Sequence, residues 1–207
     1  MSLIEVEKGE ISLKFINDNS HVSGTVSTLE RQHGWKMKNG SDGNNLRYIP
    51  TDLERRGEVF LDAYRETWKI AHGNLNGFSD VYLKYARKEA ERDPMTVVEV
   101  LQGEKPVGIL QLSPWQDVKE NVGSIAFYYL CEEARGKNLS VQPLGQAVSY
   151  YRALGRKALR LRVAEENARA RAFYEKYGFK FVCYERGAVG KLLVMDKDIS
   201  MPFDFKV

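Results

Sequence analysis

The run Tyr129-Leu130-Cys131-Glu132-Glu133-Ala134-Arg135-Gly136-Lys137-Asn138-Leu139-Ser140 passes from an apolar, strand-like segment through a basic loop into a helix. Such a junction gathers free backbone N–H groups, because the first turn of a helix has no acceptors for them and carries a partial positive charge. It is a natural phosphate site. Gly136 permits close backbone approach, and Arg135 and Lys137 add charge. A solvated basic loop has the same composition, so the segment alone does not decide. A second run, Asn167 to Phe179, sets Ala170, Phe173, Tyr174 and Tyr177 on one helical face, with Asn167 as cap and Gly178 as stop. Taken alone, that face is ordinary amphipathic-helix core.

The elements that must position these segments are read from the periodicity. Thr51 or Asp52 caps a helix in which Leu53, Val59, Phe60, Ala63, Tyr64 and Trp68 recur at helical spacing; Gly57 weakens it. A second helix with Val81, Tyr82, Tyr85 and Ala86 on one face ends at Asp93-Pro94. Strands then dominate: Thr96–Leu101 and Pro106–Leu112 flank a turn at Gln102–Lys105, and Gly123–Leu130 is the most strand-like run of the chain. A helix from Ser140 to Leu154 tolerates Pro143 in its first turn. Ala158–Val163 is the next strand, and Phe179–Tyr184 with Lys191–Met195 forms a last hairpin. The order predicts an α+β or mixed-sheet fold with helices on both faces. Residues 1–45 read as a separate β-rich extension, with a hairpin between Ile11–Ile16 and Val22–Leu29 and a linker over Lys38–Asn45.

Composition narrows the function classes. The chain of 207 residues fits one domain with an extension, and 43% hydrophobic residues suffice for a core. No apolar run approaches a membrane span, and Met1–Glu5 has no secretory character, so a cytoplasmic protein without membrane partner is expected. The net charge of +3 is too small to imply nucleic acid, although Arg152, Arg156, Lys157, Arg160 and Arg162 form a local basic stretch. Cys131 and Cys183 read as buried thiols, and His21, His33 and His72 lack ligand spacing, so no metal is expected.

Both chemical segments resemble motifs of the GNAT N-acetyltransferase family. The loop is similar to the family's pyrophosphate loop, which runs Arg or Gln, two residues, Gly, one residue, then Gly or Ala: Arg135 matches, while Asn138 and Ser140 stand at the two small-residue positions. Asn tolerates left-handed backbone and Ser is small, so the cradle survives in principle. Asn167 to Phe179 resembles the signature Asn, two residues, Ala, two residues, Phe-Tyr-Glu-Lys, one residue, Gly-Phe, with every named position filled. The resemblance covers roughly residues 46–197.

It implies the GNAT fold over 46–207, a central mixed, mostly antiparallel twisted sheet with helices on both faces. It also implies an acyltransferase that uses acetyl-CoA as co-substrate and no metal, acting on a primary amine of a small molecule or protein. Tyr129, Leu130, Cys131, Arg135, Gly136, Lys137, Asn138, Leu139, Ser140, Asn167 and Tyr174 would bind the coenzyme. Leu130 N–H would meet the thioester oxygen, and Tyr174 would protonate the leaving sulfur. The family's usual glutamate base falls on Ser124, which leaves Glu132, Glu133, Asp196 or a water held by Tyr128 as candidates. The resemblance also assigns Arg156 and Lys157 to the 3′-phosphate end, and the acceptor pocket to Lys69–Phe78 and Glu185–Gly190, with Trp68, Phe78 and Tyr82 as candidate lining. Three departures, at Ser124, Asn138 and Ser140, keep a non-catalytic acyl-CoA-binding module as the alternative. A homodimer stays open.

Overall fold

The computed structural model describes residues 3–7, 10–14, 45–136, 138–188 and 190–200. Two units separate, residues 1–41 and 42–207. In the first, β1 (Leu3–Glu7) and β2 (Glu10–Lys14) pair antiparallel from Leu3↔Lys14 to Glu7↔Glu10. Ile11 pairs with Val6, and the Val22–Leu29 half of the expected hairpin lies outside the described residues.

The second unit begins with β3 (Leu46–Pro50) and α1 (Leu53–His72). Asp52 caps α1 by accepting from Arg55 N–H, and Gly73, at φ 72°, ends it in the left-handed region. Next come α2 (Val81–Arg92), β4 (Val97–Gln102) and β5 (Lys105–Ser113). The two strands pair as far as Gln102↔Lys105, so the turn is only Gly103-Glu104, with Gly103 at φ 63°. β6 (Val122–Leu130), α3 (Val141–Ala153), β7 (Ala158–Ala164), α4 (Ala168–Lys176), β8 (Lys180–Arg186) and β9 (Lys191–Asp198) complete the unit.

Seven strands form one sheet in the order β3-β4-β5-β6-β7-β9-β8, antiparallel throughout except for the parallel pair β6–β7. α1 and α2 cover one face, where Leu53, Phe60, Ala63 and Ala86 pack with Val97, Ile109 and Phe127. α3 and α4 cover the other: Leu144, Ala147, Val148 and Tyr151 are buried with Leu110, Leu112, Ile125, Leu159 and Met195, and Phe173 and Tyr174 pack against them. The mixed sheet with helices on both faces is the expected fold. Among the described residues, no helix is long and apolar enough to cross a membrane.

β6 is irregular along both of its edges. The register against β5 jumps from Gln111↔Phe127 to Leu112↔Ile125, leaving Ala126 as an extra residue. In a regular strand Ile125 and Phe127 would share a face; the bulge sends them to opposite cores. The pairing with β7 also stops early, running only from Val122↔Ala158 to Ile125↔Leu161. Beyond it β6 stays with β5 and β7 stays with β9 up to Ala164↔Leu192, so the parallel pair splits into a wedge-shaped gap.

Candidate active site

A cavity of ≈ 390 Å³ lies at the open end of this gap. β6 contributes Tyr128, Tyr129 and Leu130; the loop after it contributes Arg135, Gly136, Asn138 and Ser140; α4 and its cap contribute Asn167, Ala170, Phe173 and Tyr174; α1 adds Thr67 and Ile70. Eight of the eleven residues singled out in the sequence therefore meet at one place. Cys131 and Leu139 do not line the cavity, Leu139 being buried in the core, and Lys137 lies outside the described residues.

The strand end presents its backbone in a definite sense. Cys131 N–H donates to Val107 C=O at 2.8 Å, so the backbone groups of Tyr129 and Cys131 turn toward β5. By strand alternation those of Tyr128 and Leu130 turn toward the gap. Leu130 C=O already accepts from Arg135 Nε at 2.8 Å, which leaves its N–H as the group facing the opening. Arg135 also donates through Nη2 to Glu66 Oε1 at 2.7 Å and lies over the Tyr129 ring. Tyr129 Oη donates to the other oxygen of Glu66 at 2.5 Å. Glu66, on α1, thus ties the loop arginine to the strand; no local pattern in the sequence marks it.

The loop itself is built for close backbone approach. Gly136 has φ 75° with no atom within 4 Å of where a Cβ would stand, and Asn138 takes φ 58°. An asparagine accepts the left-handed conformation that a glycine would otherwise supply. Ser140 caps α3 without a side-chain hydrogen bond, and its C=O accepts from Tyr128 Oη at 2.6 Å. Burial raises the Tyr128 phenol well above its ordinary value.

Across the gap, Asn167 Oδ1 accepts from Ala170 N–H and fixes the start of α4. Tyr174 packs edge-on against Phe173 and Phe179, and no described residue hydrogen-bonds its hydroxyl. Desolvation holds this phenol above its ordinary pKa, so it keeps its proton through the neutral range. Burial likewise pushes the Cys131 thiol up, with a further contribution from a hydrogen bond to Glu133.

Several sequence expectations need correction. Cys183 is exposed and Cys131 half-buried, so neither is a core thiol. None of the candidate carboxylates lines the cavity: Asp196 pairs with Arg160, and Glu132 and Glu133 sit in the turn after β6. Ser124 is 1% exposed, with its Oγ bonded to Asp117 and its C=O accepting from Tyr151. Carboxylates neutralise part of the basic stretch. Arg160 and Arg162 are held by Asp117, Glu120, Glu185 and Asp196, while Arg152 and Arg156 donate to the carbonyls of Ile199 and Pro114. Arg156 and Lys157 also come after the C-terminal end of α3, about 20 Å along the helix from the loop that opens it. Trp68, Phe78 and Tyr82 pack edge-on or tilted against one another instead of lining the cavity, and Tyr184–Ala188 line a separate recess. Among the described residues no cluster of three or more metal-type ligands occurs.

A sheet split between two parallel strands, opened beside a loop at a helix start, is the geometry that the sequence resemblance to acetyltransferases implies. The model of the acetyltransferase (GNAT) family matches residues 58–179, more than half of the chain, and the chain belongs to that family. Solved structures share the fold at low identity. An N-acetyltransferase from Staphylococcus aureus aligns with a TM-score of 0.56 at 15% identity, covering 75% of this chain and 99% of its own. The PaiA N-acetyltransferase of Thermoplasma acidophilum, solved in complex with coenzyme A, gives 0.54 at 20% identity over 74% and 99%. A ribosomal-protein-alanine N-acetyltransferase from Brucella melitensis gives 0.57 at 18% identity over 74% and 99%. A search of curated proteins finds no match.

Proposed function

We propose that this protein transfers the acetyl group of acetyl-CoA to a primary amine of a small molecule or a protein. The observation that carries the reading is the convergence, in one cavity, of the Arg135–Ser140 loop, the gap-facing Leu130 backbone and a Tyr174 hydroxyl that no described residue hydrogen-bonds. The donor set fits the coenzyme. The start of α3 and the loop backbone around Gly136 and Asn138 would hold the pyrophosphate, with Arg135 and Lys137 supplying positive charge. Tyr129, Leu130 and Cys131 form the strand end along which the pantetheine arm would lie. The coenzyme-bound state of the Thermoplasma acidophilum structure supports the same choice of ligand.

In this reading Leu130 N–H polarises the thioester oxygen. The amine nitrogen bonds to the carbonyl carbon, the carbon–sulfur bond breaks, and Tyr174 gives its proton to the departing sulfur. Water at the open end of the cavity takes the proton released by the amine, and so reprotonates the phenolate. Attack is direct. A Cys131 acyl-enzyme would need a thiolate, whereas that thiol is raised and lies outside the cavity lining. The two free cysteines suit a reducing compartment, and we assign the protein to the cytoplasm. Thiol release from acetyl-CoA, measured with a panel of primary amines, tests the proposal. Binding of acetyl-CoA without amine-dependent thiol release would leave a binding module in place of an enzyme.

A further inference from the structure

We infer that two copies of this chain join edge to edge through β8, extending their seven-stranded sheets into one. β8 is the edge strand beyond β9, and it is unusual in being open on both faces. Phe181, Val182 and Tyr184 are 50%, 47% and 54% exposed, and Cys183 is exposed as well. An edge strand carrying this much apolar surface is a template for another strand.

A second β8 is the occupant its side chains fit. The register against β9 passes from Phe181↔Met195 directly to Cys183↔Val194, so Val182 is an extra residue. In a regular strand Phe181 and Tyr184 would point to opposite faces. With the bulge they share one, and their rings stand 4.9 Å apart. A two-fold axis through Cys183 then gives an antiparallel ladder in which Phe181 faces Tyr184, Lys180 faces Glu185 and Cys183 faces its own copy. Every pair lies on a common face, as antiparallel pairing requires. The pairs Phe181–Tyr184 and Lys180–Glu185 each occur twice, the self-complementarity a two-fold interface demands.

Other registers fail this test. Shifting one way by two ladder positions sets Phe181 against Arg186, and shifting the other way sets Lys180 against Cys183. Glu185 already receives Arg162, yet a carboxylate offers about four acceptor sites and retains room for a lysine.

Light scattering of the full chain at micromolar concentration should give twice the 23.7 kDa of one copy. Lys180→Glu, which sets two carboxylates against each other at both ends of the ladder, should weaken the dimer about tenfold or more. Facing residues in such a ladder have Cα atoms about 4.5–5.5 Å apart, within disulfide range. Mild oxidation with copper phenanthroline should therefore give a covalent dimer that persists in Cys131→Ser and disappears in Cys183→Ser. A monomer at every concentration overturns the proposal. So does a dimer indifferent to Lys180→Glu, or one that does not cross-link through Cys183.

Discussion

Replacing Tyr174 by Phe removes one hydroxyl and leaves the ring between Phe173 and Phe179. Because no described residue hydrogen-bonds that hydroxyl, the substitution breaks no protein contact and deletes a desolvated polar group. Stability should then stay within about 0.5 kcal/mol of wild type, and acetyl-CoA affinity should be nearly unchanged. If Tyr174 protonates the leaving sulfur, turnover should fall about 10²–10⁴-fold, the usual contribution of a positioned acid. At about 1.36 kcal/mol per tenfold, that is roughly 2.7–5.4 kcal/mol of transition-state stabilisation. The raised phenol also fixes a pH signature: the acid form persists to above about pH 10, so Tyr174 should add no falling limb to the rate profile below that. Single-turnover release of coenzyme thiol, read with a thiol-reactive dye, isolates the chemical step. A Tyr174→Phe protein with the wild-type single-turnover rate would remove Tyr174 from the mechanism.

Asn138→Gly should keep or tighten acetyl-CoA binding by calorimetry, since glycine adopts φ 58° freely; Asn138→Val should weaken it, because a β-branched residue resists that conformation by about 1–2 kcal/mol. Gly123→Ala sets a Cβ about 2.2 Å from the ring of fully buried Tyr151, whose hydroxyl bridges Ser113 N–H and Ser124 C=O, and denaturant titration should show a loss of about 3 kcal/mol or more. Burial alone would raise the Asp117 carboxyl, but Arg162, Ser124 and Arg160 together outweigh it and hold it below its ordinary value. Its contribution is then present above about pH 4 and lost as pH falls through the depressed value, so Asp117→Asn should lower Tm at about pH 7 and converge with wild type once the pH lies below that value in melting curves.

What the sequence disclosed and what it hid divide by the range of the interactions. α4 was legible from end to end: its cap, its aromatic face and its terminal glycine all act within a turn, and Gly178 does take φ 83°. The loop at Arg135–Ser140 was legible for the same reason. The bulge at Ala126 and the early end of β6–β7 pairing were not, because both are set by partners in other strands. Arg160 and Arg162 looked like free cations because Asp117, Glu120, Glu185 and Asp196, which neutralise them, come from three other segments. Cys183 looked buried because Phe-Val-Cys-Tyr is the composition of an interior strand, and only the strand order makes β8 an edge.

The ion cluster around Asp117 has a meaning for the split sheet. Arg160 and Arg162 reach from β7 to a carboxylate just before β6, beside the last pairs the two strands share, Ser124↔Arg160 and Ile125↔Leu161. The fork therefore has its crotch stapled by charge, and everything beyond the staple diverges. Concentrated salt screens such a staple far less than it would an exposed ion pair, since Arg160 is only 7% exposed and Asp117 is similarly enclosed. Substituting Asp117 or Glu120 would thus take away charge that holds Arg160 and Arg162 at this junction, and neither residue lines the cavity.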